Sequence, residues 1–113
     1  MIEIIKGAKG VVNIKMPCGE SACIGVNVSG LPVQSGDYAE YKIYREKDQS
    51  LLLYKKVSEI TDGSMVVELK PEDTEQIAPG NYSHILRLWW SGHQSTLIPV
   101  SDFTLTGVGP DAN

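Results

Sequence analysis

A chain of 113 residues can fold around one hydrophobic core and is too short for two. Its 42% apolar content suits an ordinary globule, while a net charge of −4, the lack of a basic run and 7% aromatic residues exclude the electrostatic footprint of a nucleic-acid binder. The opening Met1 to Gly10 lacks the basic start and long apolar core of a secretory signal, and no apolar run approaches the roughly 20 residues of a membrane helix, so no membrane is expected as a partner.

Strand-like segments separated by turn residues run through the whole chain, and no window sustains a helical period. Ile2 to Lys6 predicts a first strand ended by Gly7 and Gly10, and Val11 to Met16 a second ended by Pro17. Together they read as one edge segment with a glycine kink that lets it cross between sheets. The next segment is loop-like and holds both cysteines, Cys18 and Cys23. A disulfide framework would bring more pairs at wider spacing, so reduced thiols are expected, with a local bridge as the alternative.

Ile24, Val26 and Val28 alternate with Gly25, Asn27 and Ser29 until Gly30-Leu31-Pro32 stops the strand, which therefore buries one face. Ser35-Gly36-Asp37 turns the chain into Tyr38 to Glu46, where Ala39, Tyr41 and Ile43 form the inward set. The charged run Arg45 to Gln49 reads as a solvated hairpin tip, and Leu51 to Val57 returns as a strand. Asp62-Gly63 carries a hairpin signal ahead of Met65, Val67 and Leu69, which should share the core face.

A polar corner follows. Pro71 opens a helical turn without losing a hydrogen bond, and Glu72 and Asp73 stand where its N-terminal amides favour negative charge. Ile77 is expected to plug inward, and Pro79-Gly80 to stop the turn with Gly80 at positive φ. Next, Tyr82, His84, Leu86, Leu88 and Trp90 alternate with Ser83, Ile85, Arg87 and Trp89, and the first, more apolar set faces in. Ser91 to Gln94 reads as a hairpin turn. The last strand, Ser95 to Thr106, ends its core face with Phe103 and Leu105, and Pro99 within it argues for an edge or a bulge. Residues 1–106 thus form a single domain of about seven to eight strands, an all-β sandwich or barrel, and residues 107–113 have the composition of a frayed tail.

Two resemblances meet at the corner. The string Leu69 to Thr74, L-K-P-E-D-T, resembles the turn before the penultimate strand of antibody variable domains, with Tyr82 as a tyrosine-corner candidate. The remainder of that pattern is missing, since Cys18 and Cys23 are too close to be the inter-sheet pair and Gln76 to Asn81 is an insertion. The second resemblance spans most of the chain. Ile2 to Gly7 (I-x-I-x-K-G), the alternating Ala39 to Arg45, Asp62-Gly63, L-x-P-x-D-T at Leu69 to Thr74, and P-G-x-Y at Pro79 to Tyr82 continuing to Leu88 follow one another as in the immunoglobulin-like domains of tailed-phage and prophage structural proteins, such as baseplate upper proteins. Asp102 stands where that pattern has a glycine before the final aromatic, here Phe103. The resemblance implies an all-β, immunoglobulin-like β-sandwich of about seven to eight antiparallel strands with one short helical turn near residues 71–77. It also implies a virion component, made in the bacterial host cytoplasm and then built into a tail or baseplate.

No catalytic constellation competes with that reading. His84 and His93 are the two histidines, one on a strand and one in a turn, and neither has a nucleophile motif around it. Cys18-x4-Cys23 is at the loose end of zinc spacings and has no second pair, and Glu72, Asp73 and Glu75 lack the calcium-loop pattern. No catalytic residue, metal or cofactor is expected. The informative tension is Trp89 beside Trp90, because adjacent strand residues point to opposite faces. With Trp90 inside, Ile85, Arg87 and Trp89 share an outer face, which Tyr38, Tyr44 and Tyr54 extend if their faces match. Exposed Trp and Arg are favoured at interfaces, so this face is the candidate contact with other phage structural proteins or with copies of the chain; cover by a loop of the same chain is the competing assignment. The alternative function is a carbohydrate-binding or adhesive module that stacks surface glycans on the same aromatics.

Overall fold

The computed structural model describes residues 2–7, 11–28, 33–60 and 63–107. Among them are strands β1 (Ile2–Gly7), β2 (Ile14–Pro17), β3 (Ala22–Asn27), β4 (Tyr38–Arg45), β5 (Ser50–Val57), β6 (Ser64–Leu69), β7 (Gly80–Trp90) and β8 (His93–Thr106), with helix α1 (Pro71–Glu75) between β6 and β7. A three-stranded sheet in the order β1-β3-β6 packs on a five-stranded sheet in the order β2-β8-β7-β4-β5. The all-β sandwich with one short helical turn is therefore the architecture of the chain.

Period-two alternation fills the space between the sheets. Ala39, Tyr41 and Ile43 of β4, Ala22, Ile24 and Val26 of β3, Met65, Val67 and Leu69 of β6, and Leu86 and Leu88 of β7 are all buried in one cluster. Each fully buried Leu or Ile is worth about 1.5–3 kcal/mol relative to exposure, so this alternation is the main reason the faces are fixed. The passage of the chain from β1 in one sheet to β2 in the other occurs where the kinked edge is expected, although Gly10 lies outside the described residues. Pro99 sits at an irregularity as expected: His84 pairs with Ser101 and Leu86 with Ile98, so Pro99 and Val100 together oppose Ile85.

Four expectations need correction. The strands are not all antiparallel, because β1 pairs with β3 and β2 with β8 in parallel; alternation reports which face is buried and says nothing of a neighbour's direction. Asp62-Gly63 does not close a hairpin, since β5 and β6 lie in different sheets; Asp62 is outside the described residues, and Gly63, at φ +75°, lies on the crossover. Cys23 lies on β3 and not in a loop, and no disulfide joins it to the buried Cys18. Gly80 is not at positive φ but begins β7, where a Cβ would lie 3.4 Å from the Tyr82 hydroxyl, an ordinary contact, so neither backbone conformation nor space requires glycine there. Ser29, the stop signal Gly30-Leu31-Pro32 and residues 108–113 of the 107–113 tail lie outside the described residues.

The corner itself is held by local bonds. The Lys70 N–H donates to Asp73 Oδ2 at 2.7 Å and the Lys70 carbonyl accepts from the Asp73 N–H at 2.9 Å, which closes the first turn of α1. Ile77 is buried, and the Tyr82 hydroxyl donates to the Ala78 carbonyl at 2.5 Å, four residues upstream, as a tyrosine corner does.

Candidate protein interface

The outward residues of β7, β4 and β5 share the exposed face of the five-stranded sheet. Register places Tyr38 beside Trp89, Glu40 between Arg87 and Lys56, Lys42 between Ile85 and Tyr54, and Tyr44 beside Leu51. The three tyrosines named from the sequence, Tyr38, Tyr44 and Tyr54, therefore lie on the face of Ile85, Arg87 and Trp89.

Two regions divide this face. At one end, Glu40 accepts from the Tyr54 hydroxyl at 2.5 Å and from Trp89 Nε1 at 3.0 Å, so each carboxylate oxygen has its own donor. The Tyr54 hydrogen bond chiefly holds the Glu40 carboxyl below its ordinary range, and the same bond raises Tyr54. Trp89 is half-buried, with Tyr38 stacked on it at a centroid distance of 6.4 Å and an interplanar angle of 30°, and Lys56 Nζ stands 4.5 Å from the Tyr38 ring centre. Trp89 is thus partly covered by its own chain, and its indole N–H is already occupied.

At the other end lies a groove of about 510 Å³, lined by Ile85, Arg87, Lys42, Tyr44, Leu51 and Val100 among others. Leu51 is 55% exposed and Val100 52%, so apolar surface from four strands opens to solvent beside two cations, Lys42 and Arg87, and two carboxylates, Glu40 and Glu46. Arg87 is exposed and makes no ion pair among the described residues. The structure brings Ile85 and Arg87 together in the groove and sets Trp89 in the aromatic cluster next to it.

Sequence reasoning passed over Glu40, Leu51 and Val100. Leu51 turns outward because the β4–β5 register shifts between Ile43 and Tyr44, and Val100 because of the Pro99 irregularity. A run of three leucines at Leu51 to Leu53, where alternation should place only every second one inside, was the available signal. The histidines lie away from this face. His84 is fully buried, with Tyr41 Oη 2.9 Å from Nδ1 and the Val12 carbonyl 2.6 Å from Nε2; His93 is exposed and packs on Trp90 with ring centres 4.9 Å apart. Burial raises the Cys18 thiol, which donates to the Ile77 carbonyl at 3.3 Å. Among the described residues no cluster of three or more His, Cys, Asp or Glu side chains is arranged to hold a metal, and no helix is long and apolar enough to cross a membrane.

No protein-family model matches the sequence, and no curated protein matches it. Solved structures do. The fold of this chain is shared with a phage protein domain. The N-terminal domain of phage TP901-1 ORF48 superposes at a TM-score of 0.55 with 10% identity, over 93% of this chain and 98% of that one. A candidate glycoside hydrolase from Bacteroides vulgatus matches at a TM-score of 0.49 with 12% identity, over 86% of this chain and 17% of that one. An uncharacterised protein from Bacillus anthracis matches at 0.44 with 14% identity, over 93% and 86%.

Proposed function

We propose that this chain is a non-enzymatic structural module of a phage or prophage particle, a tail or baseplate component that works through protein–protein contacts. One observation carries the reading: nearly the whole of the chain and nearly the whole of a phage protein domain share one fold. The contact surface would be the open face of the five-stranded sheet, where Arg87 and Ile85 line an apolar groove and Trp89, Tyr38 and Glu40 form a prearranged rim.

The experiment is binding of the purified chain to the purified products of the genes flanking its own. At least one phage structural protein among them should bind, and Arg87→Glu should weaken that binding about tenfold while leaving the fold unchanged, the size expected for one interface cation. Flanking genes unrelated to phage particles, or binding indifferent to Arg87→Glu, would refute the assignment.

A glycan-binding role is the second reading, favoured by Tyr44 and the 44% exposed Tyr54 on one open face. It requires retention on a glycan array that is lost in a Tyr44→Ala, Tyr54→Ala double variant.

A further inference from the structure

Among the described residues the sheets end at four edge strands, β1 and β6 on one, β2 and β5 on the other. Natural edges are kept from pairing with other chains by shortness, proline, bulges or inward charges. β2 is four residues long and ends on Pro17. β5 has a register irregularity opposite Ile43 and Tyr44, and its Lys55, on the inward side opposite Tyr41, sets Nζ 2.7 Å from Asp73 of α1. The half of β8 that β2 leaves uncovered carries Pro99 and two register shifts. Of the edges whose side chains are described, β6 alone has none of these devices. It runs in unbroken register against β3 from Ser64 to Leu69, without proline, and Val66 on its outer face is 54% exposed.

The hydrogen-bond phase of β6 follows from one contact. The Val28 N–H donates to the Gly63 carbonyl at 2.6 Å, so in an antiparallel ladder the residues bonded to β3 are Met65, Val67 and Leu69. Val66 and Glu68 therefore aim their N–H and C=O groups away from β3, at an edge that no described strand covers.

We infer that β6 pairs antiparallel with β6 of a second copy of this chain, about a twofold axis at Val66. In this register Val66 faces Val66 of the second copy and the two exchange a pair of hydrogen bonds. Met65 falls opposite Val67 on the inner face and continues the core, and Glu68 falls opposite Ser64, so no like charges meet. The groove of about 620 Å³ between β5 and β6 has Lys56 and Lys70 as well as Glu59 and Glu68 on its walls, a mixture of signs that suits contact between two identical surfaces. Two three-stranded sheets become one six-stranded sheet, and the face that holds Arg87 is left open.

Sedimentation equilibrium of the full chain from about 5 μM to about 500 μM, a range that brackets affinities of a small strand-pairing interface, tests this. The mass should rise from 12.3 kDa toward twice that value. Val66→Lys sets two ammonium groups face to face, and Val66→Pro removes an N–H that β3 does not use; each should weaken association at least about tenfold. Circular dichroism of Val66→Lys should match the parent, so that variant decides if Val66→Pro does not fold. Arg87→Glu should leave the dimer intact, which separates this edge from the outer face. A chain that stays monomeric throughout, or a dimer that survives both Val66 substitutions, overturns the inference.

Discussion

Removing either member of the buried Tyr41–His84 pair should cost stability that removing both partly restores. Both rings are 0% exposed. The Val12 carbonyl 2.6 Å from Nε2 can only accept, so Nε2 carries the proton and Nδ1 accepts from the Tyr41 hydroxyl at 2.9 Å. Tyr41→Phe strands the Nδ1 lone pair, at about 1–3 kcal/mol for an unsatisfied buried polar group. His84→Leu strands two groups, the Tyr41 hydroxyl and the Val12 carbonyl, at about 2–6 kcal/mol on the same scale. The double variant strands the Val12 carbonyl alone, so it should be no less stable than His84→Leu. Loss of the edge contact between His84 and Phe103, whose ring centres are 5.4 Å apart, enters both His84 arms and cancels. The double variant is spared two stranded groups, the Nδ1 lone pair and the Tyr41 hydroxyl, so urea unfolding of all four proteins at pH 7.5 should give a coupling energy of about 2 kcal/mol or more, counting at least about 1 kcal/mol for each group. Additivity to within about 0.5 kcal/mol would refute this bonding pattern.

Burial, only partly opposed by the Val12 carbonyl and the Asp102 carboxylate, holds His84 below its usual 6.5. The unfolded chain then takes up a proton at a pH where the folded chain does not, so stability is complete above about 6.5 and falls as the pH drops from there to the folded value; urea midpoints against pH should show this slope, and His84→Leu should lack it. Gly80→Ala should change stability by less than about 0.5 kcal/mol, since the added Cβ meets Tyr82 at ordinary contact distance, whereas Gly92→Ala, at φ +79°, should cost about 1–2 kcal/mol in thermal unfolding. Tyr82→Phe removes the bond to the Ala78 carbonyl and should cost about 1 kcal/mol, because the exposed carbonyl can turn to water.

The face of each strand was legible because a side-chain period of two is written directly in the residues, as in Ala39-Tyr41-Ile43 and Met65-Val67-Leu69. Strand neighbours were not, because pairing depends on contacts distant in sequence. Asp62-Gly63 has hairpin chemistry, but β6 is taken by β3, whose inner Ile24 and Val26 meet Val67 and Met65. The candidate surface was half legible on the same grounds. Ile85, Arg87 and Trp89 share a face through alternation alone, whereas Leu51 and Val100 join it only because register shifts change the phase locally. Glu40 gave no signal at all, since its donors Tyr54 and Trp89 are 14 and 49 residues away.

The two surfaces draw on different physics, and salt should separate them. Strand pairing at Val66 rests chiefly on backbone hydrogen bonds and apolar contact, which added salt leaves nearly unchanged, and the mixed charges of the groove beside it add only a smaller, screened share. The groove carries Arg87 and Lys42 together with Glu40 and Glu46, charges without ion pairs among the described residues, so attraction of a partner of complementary charge pattern there is exposed to screening. The screening length falls from about 10 Å at 0.1 M salt to about 3 Å at 1 M, which removes most of the interaction between solvent-exposed charges. Dimer formation followed across that range should keep its affinity to within about threefold, while partner binding at the outer face should weaken about tenfold or more. Equal salt sensitivity in the two assays would mean that both report one surface, and the division of roles between the β6 edge and the open face would fail.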